Sequence, residues 1–280
     1  MADLSPIQNG EPIKLRRQIS LTAQLAVPAI LAQLSSILMQ YIDASMVGRL
    51  GADGAASVGL MSSSLWLFWG ICSAVTTGFS VQVAHRLGGK APFEARKVVR
   101  QGITSVLVVG AIMAAIGLAI SGSLPGWLGG NEEIRPAASI YFAVFVAALP
   151  ILSLNYLAGG VLRAAGNMKV PSLLNVGMCV LDIAFNWFLI FPTRTLDIFG
   201  QEIVMPGAGL GVFGAALGTV CAEVVIACAM MWYMLTRQKD IRLKGAERGS
   251  FKPTRQVLRR AVKISVPMTL EHAIFCGAQV

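Results

Sequence analysis

Charge is scarce in this sequence. Only 13% of its 280 residues are Asp, Glu, Lys or Arg, about half the share carried by soluble domains. That polar complement is too thin to coat one or two soluble domains, so a soluble enzyme is excluded and lipid is the solvent for most of the chain. Cysteine is sparse as well. Cys72, Cys179, Cys221, Cys228 and Cys276 lie scattered in apolar runs, without the density of a disulfide framework or CxxC metal spacing, and they read as small core residues. No HExxH or GxSxG occurs, so a membrane hydrolase has little support. The only two histidines, His85 and His272, offer no metal spacing. A GxGxxG match at Gly209, Gly211 and Gly214 lacks a βαβ pattern and opens an apolar run. Gly214 and Gly218 read as small residues for close helix packing, and a dinucleotide loop is not expected.

What the chain has in plenty is uncharged length. Hydrophobic residues make up 55%, and they predict membrane helices over about 20–42, 55–82, 101–121, 137–161, 171–191 and 209–236. Each holds the roughly 20 residues needed to cross about 30 Å of hydrocarbon. A seventh apolar segment begins near Lys263 and is still running at Val280. The first run is too long for the core of a cleaved signal peptide. The expected organisation is a cytoplasmic tail over 1–19, a six-helix bundle over 20–236, a basic cytoplasmic loop over 237–260, and the start of helix seven over 261–280.

The basic residues set the orientation. Lys14, Arg16 and Arg17 precede the first span, five basic residues from Arg86 to Arg100 follow the second, Arg163 and Lys169 follow the fourth, and nine from Arg237 to Arg260 follow the sixth. The other loops hold only Arg49, Arg135 and Arg194. By the positive-inside rule the N-terminus and the even-numbered loops are cytoplasmic. The net charge of +9 is then a topology signal, with some attraction to anionic lipid, and implies no nucleic-acid partner.

Residues 26–40 (AVPAILAQLSSILMQ) and 265–279 (SVPMTLEHAIFCGAQ) align, pairing Val27 with Val266, Pro28 with Pro267, Leu31 with Leu270 and Gln40 with Gln279. Six helices separate them, as expected for two six-helix halves related about the membrane normal. On that reading the chain ends as a second half begins.

Three acids fall in or beside the spans: Asp43, Asp182 and Glu223. Intramembrane acids are costly, and without basic partners they suggest a cation or proton site. Gln33, Ser36, Gln40 and Asp43 form one stripe of the first helix, and Asn175, Cys179, Asp182 and Asn186 form one of the fifth. Thr219 and Glu223 stand one turn apart on the sixth. The rise per residue puts Asp182 about 17 Å and Thr219 about 15 Å from their helix ends, both near the midplane, with Asp43 nearer the outer leaflet. Pro28 predicts a kink below the first stripe. A second stripe, Ser62, Trp66, Trp69, Ser73, Thr77 and Ser80, suits a cavity wall or helix packing. Bland readings stand beside the sharp ones: a solvated interfacial Asp43, an Asp182 bonded only to Asn186, and a Glu223 that is a buried interhelical partner. In low dielectric a carboxyl group holds its proton until an arriving cation favours the ionised form, and that antagonism is the basis of antiport.

Pro28 with IDASMVGRLG (42–51), QVAHRLGGKAPFEARKVVRQG (82–102), GGVLRAAGNMKVP (159–171) and GVFGAALGT (211–219) together resemble the multidrug and toxic compound extrusion (MATE) transporters. The resemblance runs in order from about residue 15 to 280. It implies an all-α integral membrane protein, the six-helix N-terminal bundle of a 6+6 transporter with the beginning of helix seven, in the cytoplasmic membrane of a bacterium. It implies exchange of cationic, amphipathic compounds for Na⁺ or H⁺ by alternating access, with no other cofactor and no enzymatic activity. It aligns Asp43, Asn155 and Thr219 with polar positions of the family. Aligned on NWFLIF (186–191), Asp182 and Asn186 take each other's family positions. Na⁺ would then sit among Asp43, Asp182, Asn186 and Thr219, with Gln40, Asn155, Asn175 and Glu223 completing the polar cavity. Glu271, four residues past Pro267, is a candidate for a second-lobe site. The shortness implies a truncated transporter whose missing C-lobe, or a second chain, completes the pathway. The alternatives are a lipid-linked oligosaccharide flippase of the same superfamily and a non-transporting membrane fragment.

Overall fold

The computed structural model describes residues 15–198, 201–242 and 250–278, with side chains given throughout except at 25, 195–198 and 201–203. The helices are α1 (Leu15–Gly48), α2 (Ala52–Gly88), α3 (Pro92–Ile120), the single turn α4 (Leu124–Trp127), α5 (Arg135–Ala147), α6 (Leu149–Ala164), α7 (Lys169–Ile190), α8 (Gly211–Thr236) and α9 (Arg255–Gly277). Five of them are long and apolar enough to cross a membrane, and α5 with α6 makes a sixth span bent by 48°. The chain is an integral membrane protein, mostly helical, as its hydrophobic runs require.

The helices outrun the apolar windows read from the sequence because helical hydrogen bonding continues into the polar ends. The exception is the fourth span, expected unbroken over 137–161. Pro150 lacks an N–H and cannot close the ladder, so helix ends at Ala147 and restarts at Leu149. Gly110 of α3 crosses this bend so closely that a Cβ there would meet Pro150 Cα at 2.8 Å. Pro28 lies inside α1, which runs on through it to Gly48. The basic loop expected to reach 260 stops at Thr254, whose N–H and hydroxyl both donate to Gln101 Oε1 at 3.2 Å, and α9 starts directly after it. Gln82 Nε2 holds the first turn of α9 by donating to Val257 O at 3.1 Å. Farther along, His272 and Ser265 press against Gly70 and Gly78 of α2. Gln279 of the internal repeat lies outside the described residues, and Glu271 is exposed on α9.

An antiparallel hairpin, β1 (Pro192–Ile198) with β2 (Gln201–Ala208), joins α7 to α8. The helical reading of the chain did not include it, and only T-L-D-I (195–198) alternates polar and apolar residues as a two-faced strand does, whereas Q-E-I-V (201–204) does not. The hairpin is tied to α7. Trp187 Nε1 donates to Met205 Sδ at 3.1 Å, and the Arg194 guanidinium lies 4.2 Å from the Trp187 ring and 4.4 Å from that of Phe191, within cation–π range.

The bundle has a hairpin end, with the α1–α2 turn, and a basic end, with the α2–α3 and α6–α7 turns. One apolar cluster around Phe79, Val98, Leu157, Val161, Met230 and Met234 fills the basic half. A second around Met61, Phe68, Phe142, Phe145 and Leu149 fills the hairpin half. Helix α1 packs on α7 and little else, which leaves Ile30, Leu34, Leu38 and Tyr41 exposed. The five cysteines are free thiols; Cys72 and Cys276 are buried, whereas Cys228 is exposed rather than in the core.

Candidate functional site

Helix α7 places Asp182 and Asn186 one turn apart on the face toward α1 and α8. Both are buried, at 0% and 1% exposure. Gly218 of α8 allows that placement: a Cβ there would run into the Asn186 side-chain oxygen and come within 3.1 Å of its backbone nitrogen. One turn earlier, a Cβ at Gly214 would meet the carbonyl carbon of Leu189 at 2.7 Å. These glycines let α7 and α8 approach until their backbones nearly touch.

Asn186 joins the two acids. Its Nδ2 donates to Asp43 Oδ1 at 2.9 Å and to Asp182 Oδ2 at 3.1 Å, one amide hydrogen for each carboxyl group. The Asp43 and Asp182 carboxyls face each other, with the Thr219 hydroxyl beside Asp182. Thr219 Oγ1 donates to Ala215 O at 3.2 Å, which leaves its lone pairs free. Asp182 Oδ1 and Asn186 Oδ1 are buried without a hydrogen-bond partner among the described residues. Four oxygen-bearing groups from three helices thus converge, and hard oxygens of this kind suit Na⁺ or a proton. Two facing carboxylates repel, and a bound cation or a shared proton removes that repulsion. Among the described residues no group of three or more His, Cys, Asp and Glu is placed to hold a metal ion.

Asp43, Asn186 and Thr219 form part of the wall of a cavity of about 400 Å³ in the hairpin half, a size suited to a small organic ligand, with Asp182 buried outside the lining. Gln40, Asp43, Asn186 and Thr219 are its polar side, with Ser62 of α2. Trp66, Trp69, Tyr141 and Phe145 form an aromatic side, tilted or edge to face at 6.3 Å (Trp66–Trp69), 5.8 Å (Trp69–Phe145) and 4.9 Å (Tyr141–Phe145). Among the described residues the lining contains no Lys, Arg or His.

Asp43, Asp182, Asn186 and Thr219 therefore come together, and Gln40 joins them at the cavity. Asp43 is half-buried and accepts a hydrogen bond from Asn186. Asn175 stands half-buried outside the cavity wall. Asn155 and Glu223 also stand outside it and pair with each other, Asn155 Nδ2 donating to Glu223 Oε2 at 2.8 Å. Gln33 is exposed, and Ser36 donates back to Ala32 O. The α2 stripe divides: Ser62, Trp66 and Trp69 line this cavity, while Ser73, Thr77 and Ser80 line another. The sequence reading missed Tyr141 and Phe145, an i, i+4 aromatic pair in a span whose polar residues drew attention instead.

The chain is similar to proteins named for multidrug resistance and to solved transporter structures. The chain is 23% identical over 245 residues to the probable multidrug resistance protein YoeA of Bacillus subtilis, covering 87% of the chain and 50% of YoeA. It is 26% identical over 269 residues to the multidrug resistance protein NorM of Burkholderia vietnamiensis, covering 94% and 54%. The chain thus spans about half the length of the curated relatives it matches. A solved transporter of the MOP superfamily from Pyrococcus furiosus shares the fold with a TM-score of 0.76 at 22% identity, over 90% of this chain and 52% of that one. The MatE family model matches residues 28–188, from the proline of α1 through Asp182 and Asn186 of α7, so the chain belongs to the MatE family.

Proposed function

We propose that this chain forms one lobe of an ion-coupled exporter of cationic, amphipathic organic compounds, exchanged for Na⁺ or H⁺ by alternating access. The N-terminus and the basic end face the cytoplasm across a bacterial cytoplasmic membrane, as the excess of basic residues there favours. The observation that carries the reading is the Asn186 amide shared by Asp43 and Asp182 in the wall of an aromatic cavity without basic lining. The acids attract a cation, the indole and phenol rings stack on its apolar part, and the coupling ion competes for the same oxygens. Binding of one then weakens binding of the other, as exchange requires. The multidrug resistance names of YoeA and NorM support the same reading. An acidic cavity disfavours the flippase alternative, because a lipid-linked pyrophosphate calls for basic residues. A second six-helix bundle, from the same polypeptide or a second copy, is needed for this lobe to rock against.

The test is transport by the gene's complete product in liposomes, with a fluorescent organic monocation as probe. An imposed pH or Na⁺ gradient should drive the cation uphill, and collapsing that gradient should stop it. Movement that ignores both gradients would indicate a channel, and no movement a scaffold; either would overturn the reading.

A further inference from the structure

A second cavity, of about 270 Å³, lies in the basic half of the bundle. Helix α2 lines the acid cavity with its first half, from Ala55 to Trp69, and this one with its second, from Ser73 to Ala84. The side chains that matter are the hydroxyls of Ser73, Thr76, Thr77 and Ser80, with Tyr156 and Arg163 from α6. Thr76 and Thr77 both donate to Ser73 O, at 2.7 and 2.9 Å, and Ser80 donates to Thr76 O at 3.0 Å. Three hydroxyl hydrogens are thus committed to the helix itself, and the oxygens offer lone pairs to whatever enters.

Glu223 of α8 lines neither cavity. It is one turn beyond Thr219 of the acid cavity, and its carboxyl is held by the Asn155 amide at 2.8 Å. Asn155 adjoins Tyr156 of the hydroxyl cavity in sequence. The titratable groups that interact with Glu223 are Asp182 from α7 and Tyr156 from α6, and Cys72 of α2 also interacts with Tyr156. No ion pair joins Glu223 to a basic side chain among the described residues. Asn155 Oδ1 is buried and lacks a hydrogen-bond partner, so a donor is wanted beside the carboxyl. A structural acid would normally be paired or fully hydrogen-bonded at such a place.

We propose that Glu223 is the proton-relay carboxyl of this lobe, carrying protons between the acid pair and the hydroxyl cavity of the basic end. The Asp182 carboxyl gives up its proton and becomes a carboxylate. The Glu223 carboxylate accepts that proton, then returns to its ionised form by passing it to water in the hydroxyl cavity. One proton crosses, and Glu223 ends as it began. The inference rests on the exporter reading, with H⁺ as the coupling ion.

Glu223→Gln in the complete gene product is the test, because the amide carbonyl of Gln still accepts the Asn155 hydrogen bond while carrying no titratable proton. The organic monocation should bind with near wild-type affinity, and proton-driven exchange should fall by about 100-fold or more, the scale of a positioned acid–base group. Glu223→Asp should recover part of the rate. Thr77→Val with Ser80→Ala leaves Glu223 in place and removes hydroxyls from the cavity; it should slow proton-driven exchange while cation binding persists. Wild-type exchange in Glu223→Gln, or in the double variant if Glu223→Gln does not fold, would overturn the relay and leave the exporter reading intact. Loss of cation binding together with exchange in Glu223→Gln would assign Glu223 a structural role and overturn the relay too. A wild-type protein driven by Na⁺ alone would overturn the relay only, and one that moves no organic cation would overturn both.

Discussion

Asp182→Asn lowers gradient-driven export of an organic monocation by on the order of 10–100-fold, the range of a typical coupling free energy, while the fold survives. The substitution preserves shape. Its new amide oxygen still accepts the Asn186 Nδ2 hydrogen that now reaches Asp182 Oδ2 at 3.1 Å, and no neighbour must move. What disappears is the charge that faces Asp43 and the group that can exchange a proton for a cation. Asp43→Asn should cost a similar factor. Because the Asn186 amide bridges both carboxyls, the double variant should be little worse than either single one, the non-additivity expected of groups acting as a unit. Initial uptake rates in liposomes, normalised to inserted protein, measure this. Full export by Asp182→Asn would place the coupling elsewhere.

Gly218→Val should eliminate export by a different route. A Cβ at 218 collides with the Asn186 side-chain oxygen and lies 3.1 Å from its backbone nitrogen, and the backbone cannot step aside as a flexible side chain would. Overpacking of this kind costs about 1–3 kcal/mol, and here it falls on the residue that joins the two acids. Either α8 withdraws from α7, or the Asn186 amide swings off both carboxyls; each outcome dismantles the cluster. A lowered melting temperature in detergent with export reduced at least as far as in Asp182→Asn is the expected result. Gly48→Ala, at a glycine whose Cβ would meet nothing within 4 Å, is the control and should behave as wild type.

Much of this was legible in the sequence because lipid leaves few choices. A chain with 13% charged residues and six long uncharged runs must satisfy its backbone within helices. The i, i+4 spacing of Asp182 and Asn186 placed them on one face before any contact was known. The pairing across helices was harder to read. Periodicity says which residues share a face but not which face meets which, so Asn155 and Glu223 were grouped with an acid cavity they do not line. Asn175 was misgrouped for the opposite reason: it keeps the register of Asp182 but lies nearly two turns along α7, beyond the reach of α1's acid. The bend at Pro150 and the hairpin after Phe191 escaped because an apolar run hides a local break and two short strands with little alternation are a faint signal beside helices several times longer. Tyr141 and Phe145 show the same limit, since aromatic residues in a membrane span look identical whether they face lipid, core or cavity.

The most direct test of the central claim, that the Asn186-bridged acids hold the coupling ion and surrender it to an organic cation, is equilibrium binding of a fluorescent organic monocation to the purified complete product. Its affinity would be titrated against Na⁺ and H⁺ in turn, with proton release followed by a pH indicator in weak buffer. The account predicts that one of the two ions weakens cation binding in proportion to its concentration, and that this competition vanishes in Asp43→Asn and Asp182→Asn. Cation binding indifferent to both ions, with no proton released and no change in either variant, would contradict it.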